Sequence, residues 1–326
     1  EKTESFPMDS SSNLQNNLKS KTFDSISKSK KTPQNTAILL VSHGSSLPYA
    51  EEVFTEIRDK YIKLTGFDAE AGYMKVANPT LPQAINNLKD KNPNLKYIIA
   101  VPVFLAPGIH TRIDIPTILG LEPLETDPRC PDGNYPEGHY LYDLEDINFD
   151  GEITLLNPIG PNKSLLTIIN NRIDEALSQS QLDSNAKTGI LLVSHGSRLN
   201  YNKEFISELH EMFNNTTEKP NDFAFMELVE PDIPTTINKL VSENDVDRLV
   251  VVPVFIAPGV HTTHDIPSIL GLLDEEHTHK HNHSHNHSHH HTHTKMEFNG
   301  EILYPEPIGS DDVLIKILQK KVENEL

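Results

Sequence analysis

The fold of this chain is decided by the stretch Val252-Pro-Val-Phe-Ile-Ala-Pro-Gly-Val-His261-Thr-Thr-His264-Asp265-Ile-Pro267. The hydrophobic run from Leu249 to Phe255 predicts a strand that is buried on both faces, as in a parallel sheet. Small and rigid residues at 257–259 end the strand, and Ile266 to Leu270 is predicted to be a short helix. The stretch therefore places His261 where a buried strand passes into a helix, a common position for chemistry in open α/β sheets.

The same stretch occurs earlier in the chain, as Val101-Pro-Val-Phe-Leu-Ala-Pro-Gly-Ile-His110-Thr-Arg-Ile-Asp114-Ile-Pro116. A second motif is also repeated, because Ser-His-Gly-Ser occurs around both His43 and His195. In each case the two copies lie about 150 residues apart, which is the length of a whole domain rather than of a solenoid repeat. The chain is therefore predicted to contain a duplicated domain.

Strands alternate with amphipathic helices in both halves, which predicts an α/β fold. We expect two tandem, duplicated, doubly wound domains, each with a mainly parallel sheet of about four strands, facing each other across a cleft. In the first half the predicted strands span 37–42, 69–76, 97–104 and 153–156. The predicted parts are a disordered tail at 1–36, a first domain at 37–177 with an acidic insertion at 122–150, a linker at 178–187, and a second domain at 188–326 with a His-rich insertion at 274–296.

Composition excludes several classes of partner. The formal net charge is −19, so nucleic acid and anionic membranes are poor candidates. No apolar run approaches the ~20 residues that a membrane-spanning helix needs. Cys130 is the single cysteine, which excludes an internal disulfide and a metal site made only of cysteines. We expect a cytoplasmic protein, and we expect the acidic insertion that contains Cys130 and His139 to be a solvated surface loop.

Candidate chemical groups follow three predicted strands of the second half. They are His195, the pair Glu227 and Glu230, and His261. Because the carboxyl ends of parallel strands meet at one edge of a sheet, we expect these side chains to lie close together. Two imidazoles and a carboxylate can hold a divalent metal ion and leave a face open for a substrate. The alternative is that the histidines are structural groups that cap the ends of loops.

The first half keeps the two histidines, His43 and His110, but not the carboxylates. Lys75 and Asn78 stand where the second half has Glu227 and Glu230. A lysine beside a metal site repels the cation and removes a ligand. We therefore place the chemistry in the second half, and we expect the first-half histidines either to hold metal in transit or only to shape the cleft.

Both halves resemble the class II tetrapyrrole chelatases, specifically the small sirohydrochlorin cobaltochelatase and nickelochelatase family. The resemblance spans about residues 37–177 and 188–326. In the second half it is carried by Ser194-His-Gly-Ser-Arg-Leu-Asn-Tyr-Asn-Lys-Glu204, by Met226-Glu-Leu-Val-Glu-Pro231, and by the segment from Pro253 to Leu272. Short archaeal members of that family pair as homodimers and longer members fuse two copies, so the resemblance implies an intramolecular pseudo-dimer.

The resemblance also implies roles for individual residues. His195 would be a proton acceptor and a metal ligand, and His261 would be the second ligand. Glu230 would contact the tetrapyrrole, and Glu227 would be a further ligand or base. The pocket for the tetrapyrrole would be lined by Ile256, Ala257, Pro258, Gly259, Val260 and His261.

The activity that the resemblance implies is insertion of Co²⁺ or Ni²⁺ into sirohydrochlorin, in the synthesis of cobalamin or a related tetrapyrrole. The metal would be a substrate, and no organic cofactor is expected. Insertion of Fe²⁺ for siroheme and a non-catalytic metal-binding or delivery protein are the alternatives. Sirohydrochlorin is polyanionic, so local cations must offset the net negative charge; the candidates are Arg198, Arg112, Lys75 and Lys203.

A histidine tract lies inside the His-rich insertion, from His277 to His293. Such a low-complexity tract cannot build a core, but it can bind several cations weakly. Metal storage or delivery is favoured over an inert polar loop. A flexible array cannot fix one coordination geometry, so the tract is not expected to be the catalytic site.

Deletion of residues 277–293 should therefore slow metal insertion at low metal concentration and leave the rate at saturating metal unchanged. The measurement is the visible spectrum of sirohydrochlorin, followed over time at a series of metal concentrations. Loss of activity at saturating metal would show that the tract belongs to the catalytic site.

Overall fold

The computed structural model describes residues 29–273 and 294–326. The first half of the chain forms β1 (Thr36–Ser42), α1 (Pro48–Thr65), β2 (Asp68–Tyr73), α2 (Leu81–Lys91), β3 (Tyr97–Pro102), a π-helical turn (His110–Asp114), α3 (Ile115–Ile118) and β4 (Glu152–Leu155). The second half forms α4 (Lys163–Leu177), β5 (Thr188–Ser194), α5 (Asn200–Asn214), β6 (Asn221–Phe225), α6 (Ile233–Asn244), β7 (Arg248–Pro253), a second π-helical turn (His261–Asp265), α7 (Ile266–Ile269), β8 (Glu301–Leu303) and α8 (Asp312–Glu323).

The described residues form two four-stranded sheets in which every strand pair is parallel, as the sequence predicted. The strand orders are β2-β1-β3-β4 and β6-β5-β7-β8. The central strands are covered on both faces, and residues 38–41 and 190–193 are fully buried. This burial explains why the central strands are continuous hydrophobic runs rather than alternating patterns. The cleft between the two halves stays a prediction.

Two strands end earlier than the sequence predicted. The strand predicted at 69–76 ends at Tyr73, and the strand predicted at 97–104 ends at Pro102. Val76 adopts a left-handed conformation with φ of 71°, which a β-branched residue rarely adopts and which cannot continue a strand. The hydrophobic residues beyond each strand end therefore belong to the loops that shape the edge of the sheet.

The strand order creates an opening at the carboxyl edge of each sheet. From β1 the chain moves outward to β2 on one side, and then returns to β3 on the other side. Loops that leave β1 and β3 therefore diverge, and ligands bind at such a switch point in open α/β sheets. The same point lies between β5 and β7 in the second sheet.

The compact units of the fold exchange their last helices. One unit contains the described residues up to Asn162 together with Asp312–Leu326, and the other contains Lys163–Asp311. Thus α8 packs against α1 and β3, while α4 packs against β7 and α5. This differs from the predicted domains at 37–177 and 188–326. The helical period shows that α4 and α8 each have an apolar face. Because the same family of domain occurs twice, both sheets offer a similar surface, and the sequence does not show which sheet each helix covers.

The acidic insertion is packed against the first sheet, so its description as a solvated loop was wrong. Cys130 and Leu141 are 7% and 4% exposed. Apolar side chains throughout the insertion pack on the same core: Tyr135, Tyr140, Leu144, Ile147 and Phe149. Averaged composition hid this packing, because the aromatic and aliphatic residues are spaced between carboxylates and prolines.

The predicted tail at 1–36 is partly ordered against the first unit. The hydroxyl oxygens of Ser29 and Tyr97 lie 3.0 Å apart, and the Lys31 ammonium donates to the carbonyl of Glu325 at 3.2 Å. Residues 1–28 of the tail and residues 274–293 of the His-rich insertion, including the whole histidine tract, lie outside the described residues. Among the residues described, no helix has the length and apolar character that crossing a membrane requires. The cytoplasmic location stays a prediction.

The helix exchange can be tested with two matched substitutions. Leu318 in α8 and Leu165 in α4 are both fully buried. Each change to alanine should cost about 2–5 kcal/mol of stability through lost burial and a cavity. Leu318→Ala should speed hydrogen exchange of amides in β1 and β3, and Leu165→Ala should do so in β5 and β7. The opposite pattern would show that each helix packs on the sheet of its own sequence repeat.

Candidate metal centre

A close backbone approach brings the loops after β5 and β6 together. Gly196 has φ of +94°, and a Cβ added there would lie 1.9 Å from the carbonyl oxygen of Glu227. The Glu227 amide donates to the carbonyl of His195 at 3.2 Å. Only glycine combines this φ with so close a neighbour. Gly196 therefore allows His195 and Glu227 to project from adjacent loops at the same edge of the sheet.

Three side chains meet at this edge. Ligand atoms of His195, Glu227 and His261 all lie within 4.8 Å of one another, the one such cluster in the described part of the chain. His195 Nε2 lies 3.3 Å from Glu227 Oε1, and the two imidazole ring centres are 4.8 Å apart. All three side chains are partly exposed. Two imidazole nitrogens and a carboxylate with an open side fit a borderline divalent cation such as Co²⁺, Ni²⁺ or Zn²⁺.

Hydrogen bonds fix the tautomer of both imidazoles. His195 Nδ1–H donates to the carbonyl of Gly196 at 2.6 Å, and His261 Nδ1–H donates to Asp265 Oδ2 at 2.7 Å. Since each Nδ1 carries the proton, each neutral ring keeps its lone pair on Nε2. A carboxylate behind a histidine is the usual support of a metal ligand, because it orients the ring and increases its basicity.

Asp265 also changes the acidity of its partner. Its hydrogen bond raises the pKa of His261 above the ordinary value, against the opposing effect of burial. The hydrogen bond from His261 in turn lowers the pKa of the Asp265 carboxyl. A proton on His261 Nε2 competes directly with a metal ion for the same lone pair, so metal affinity should fall as the pH drops through this raised pKa.

Asn202 on α5 holds the His195 loop from behind. Its Oδ1 accepts from the Gly196 amide at 3.1 Å, and its Nδ2 donates to Ser194 Oγ at 2.9 Å. The corresponding position in the first half is Ala50, which cannot form these bonds. The second half therefore has a support for its histidine loop that the first half lacks.

The other predicted site residues lie outside this cluster. Glu230 is exposed, three residues beyond Glu227. Residues 257–260 form the loop that connects β7 to the π-helical turn and are partly or fully exposed. Ile256 was predicted to line the substrate pocket but is only 9% exposed.

Sequence reasoning missed Asp265 and an exposed apolar rim. The signal for Asp265 was its position four residues after His261, which places both side chains on one face of a helical turn.

The apolar rim comes from the loops that carry the three ligands: Leu199, Leu228 and Val260 are 40%, 54% and 50% exposed. Leu228 also has φ of 70°, a strained conformation of the kind that clusters at functional sites. Its signal was an apolar residue between two carboxylates.

The first half repeats the histidine pair without the carboxylate. His43 and His110 have ring centres 5.0 Å apart, and their Nδ1 atoms bond to the Gly44 carbonyl and to Asp114. Lys75 occupies the position of Glu227, and its amide bonds to the carbonyl of His43 at 3.2 Å. The backbone of the site is thus duplicated, whereas the charge at the third position is reversed.

Comparison with known proteins finds the same duplication. The family model described as CbiX matches this chain twice, at residues 37–176 and 189–325. The sirohydrochlorin cobaltochelatase of Methanothermobacter thermautotrophicus is 46% identical over 147 residues, which cover 99% of that protein and 44% of this chain. The enzyme of the same name from Methanocaldococcus jannaschii is 48% identical over 134 residues, 93% of its own length and 40% of this chain. Each relative corresponds to about one half of the chain.

Solved structures with a similar fold cover most of the chain. A structure of SirB from Bacillus subtilis with Fe³⁺ matches with a TM-score of 0.61, covering 89% of this chain and 95% of that protein at 14% identity. A structure of CbiX, described as the terminal enzyme for biosynthesis of siroheme in denitrifying bacteria, matches with a TM-score of 0.51 at 16% identity and covers 90% of this chain and 99% of that protein. At these identities the likeness concerns the fold alone.

Asp265→Asn should weaken metal binding and shift its pH dependence. Loss of the supporting carboxylate should reduce affinity about 10- to 100-fold. The pKa of His261 should fall, because the hydrogen bond that raises it is lost. The decline of affinity on acidification should therefore begin at a lower pH. Zn²⁺ serves as a diamagnetic probe, with the His261 ring signals followed by NMR over a pH series. Glu204→Gln on the exposed face of α5 is the control, and an unchanged His261 pKa in Asp265→Asn would contradict the assigned support.

Proposed function

Since the chain belongs to the CbiX family, we propose that it is a chelatase that inserts Co²⁺ into sirohydrochlorin, with its catalytic site in the second half. The observation that carries this proposal is the cluster of His195, Glu227 and His261. Cobalt is preferred because the relatives at 46% and 48% identity are named sirohydrochlorin cobaltochelatases. Insertion of Ni²⁺ or Fe²⁺ would use the same ligands, since imidazole and carboxylate suit all three ions.

The first step is capture of the substrate metal. The Nε2 lone pairs of both histidines and a carboxylate oxygen of Glu227 occupy one side of the ion. The Nδ1–H groups of His195 and His261 donate to the Gly196 carbonyl and to Asp265, so neither imidazole has to turn when the ion arrives. Three ligands from partly exposed side chains leave the opposite side of the ion open for pyrrole nitrogens.

The second step exchanges the metal for protons. Insertion of a divalent ion into the ring releases two N–H protons. As each metal–protein bond is replaced by a metal–nitrogen bond, His195 Nε2 and the Glu227 carboxylate regain a lone pair and can accept one proton each. The same groups therefore act first as ligands and then as bases. His195 is the first proton acceptor, and it can pass that proton to Glu227, whose Oε1 lies 3.3 Å from His195 Nε2.

The rim around the ligands suits a flat macrocycle. Leu199, Leu228 and Val260 offer apolar contact to the tetrapyrrole face, a use that explains why large apolar side chains are exposed there. We assign Ala257, Pro258 and Gly259, together with Glu230, to the outer part of this surface, where Glu230 contacts the periphery of the ring. Arg198 and Lys203 lie in the segment that follows His195 and are the cations nearest to it in sequence. We assign them to the carboxylates of the tetrapyrrole.

Removal of a ligand should abolish insertion. His195→Ala, His261→Ala and Glu227→Gln should each lower the rate of cobalt insertion at least about 100-fold, the usual contribution of one positioned acid–base group. The assay follows the visible spectrum of sirohydrochlorin with Co²⁺, relative to the spontaneous reaction.

His210→Gln is the matched control, because His210 lies on α5 and bonds to Asn221 rather than to the cluster. This variant should keep the wild-type rate. A wild-type protein that binds cobalt but leaves the spectrum at the spontaneous rate would instead support the metal-binding and delivery alternative.

A further inference from the structure

The first half carries a second site whose backbone copies the metal centre. Gly44 has φ of +95°, and a Cβ added there would lie 1.8 Å from the Lys75 carbonyl oxygen. A Cβ added at Gly196 would in the same way lie 1.9 Å from the Glu227 carbonyl oxygen. His43 and His110 are arranged like His195 and His261, with ring centres 5.0 Å apart at an angle of 69°. Val76 follows Lys75 with φ of 71° and is 69% exposed, so an apolar side chain is presented here too.

Charge is what separates the two sites. The Lys75 ammonium replaces the Glu227 carboxylate, and it lies 4.8 Å from the centre of the Tyr140 ring. In the described residues no carboxylate pairs with this ammonium. An unpaired cation beside two imidazoles opposes a metal ion and favours an anion.

The acidic insertion holds this arrangement in place. The Tyr140 hydroxyl and the Arg129 guanidinium both donate to Asp114, which is fully buried, and Asp114 accepts from His110 Nδ1 at 2.7 Å. Arg129 also pairs with Asp127 at 2.9 Å. The negative charge of Asp114 is therefore compensated inside the fold and does not neutralise Lys75.

The Nε2 atoms of both histidines are available as hydrogen-bond acceptors in this site. The Nδ1–H group of each neutral ring already donates to a protein oxygen, so the free lone pair of each ring is on Nε2. Burial lowers the pKa of His43, and His110 and Lys75 act in the same direction, against the opposing hydrogen bond to the Gly44 carbonyl. The site thus combines two acceptors for N–H groups, one cationic donor and an exposed apolar side chain.

From this combination we infer that the first-half site binds a metal-free, carboxylate-bearing tetrapyrrole and does not bind the metal. Pyrrole N–H groups match the two Nε2 acceptors, a peripheral carboxylate matches Lys75, and the ring face matches Val76. The ligand class rests on the proposed function, whereas the exclusion of metal rests on Lys75 alone.

Two variants test this inference by binding, without turnover. The probe is uroporphyrin I, a metal-free tetrapyrrole with eight carboxylates, titrated into the full chain and followed by fluorescence. The wild type should bind two equivalents. Lys75→Gln should weaken one of them about tenfold through loss of a charge-assisted hydrogen bond, and Lys75→Glu should abolish it. Lys63→Glu makes the same charge change on the exposed end of α1 and should alter neither equivalent.

The same variants test metal exclusion. Zn²⁺ should leave the NMR ring signals of His43 and His110 unchanged in the wild type and shift them in Lys75→Glu, where two imidazoles and a carboxylate again meet. His43→Ala in the Lys75→Glu background should remove the new response of His110. Lys75→Gln, which introduces no charge, serves as the check if Lys75→Glu alters the fold.

Three outcomes would overturn the inference. One is uroporphyrin binding that is the same in the wild type and both Lys75 variants, and another is a Zn²⁺ response of His43 in the wild type. The third concerns citrate, a small tricarboxylate titrated as a second probe: if the wild type binds it and Lys75→Glu loses this binding while uroporphyrin binding stays intact, the site belongs to small free carboxylates. Absence of cobalt insertion by a wild type that meets the binding expectations would refute the proposed function instead.

Discussion

The candidate centre depends on one backbone contact, the approach of Gly196 to the carbonyl of Glu227. The loops after β5 and β6 can close to this distance only because no Cβ stands between them. The contact directs His195 and Glu227 to the same point at the carboxyl edge of the sheet. The loop after β7 then brings His261 to the same point, within 4.8 Å of the other two ligands.

The first half shows that this contact is a scaffold and does not set the chemistry. Gly44 and Lys75 make the same approach, and two imidazoles face each other at nearly the same distance. A single change of side chain, from carboxylate to ammonium, turns a group that attracts metal ions into one that repels them. A duplicated fold can therefore keep its architecture in both copies while the charge at one position of the site is reversed.

The acidic insertion extends the asymmetry between the two copies beyond the candidate ligands. In the first unit the insertion brings Tyr140 and Arg129 to Asp114, which is fully buried. In the second unit the equivalent Asp265 is partly exposed, and it bonds to His261 and His264. The position of Ile113 in the first copy is completely buried, whereas His264 in the second is exposed. Packing of the insertion thus buries the motif in the first copy, whereas in the part of the chain that the structure describes the second copy is partly exposed.

Much of the fold and of the candidate site could be predicted from local patterns. Buried hydrophobic runs gave the parallel strands, and the two copies of Ser-His-Gly-Ser and of the strand that leads to histidine gave the duplication. Strand order places His195, Glu227 and His261 at one edge, so their meeting was foreseeable. Asp265 was visible only as a spacing of four residues, and Leu228 only as an apolar residue between two carboxylates, whereas nothing in the sequence indicated the αL conformation of Leu228.

What the sequence by itself determined was the set of elements, the duplication and the restriction of the two carboxylates to the second half, because periodicity, repetition and residue charge are local properties. Only the tertiary structure decided which sheet receives α4 and α8, that the insertion packs on the core, and that the Lys75 ammonium lies over the Tyr140 ring with no carboxylate partner among the described residues. The physical reason is that an apolar face or a charge specifies what kind of surface it needs. Which surface it meets depends on contacts between residues far apart in the chain.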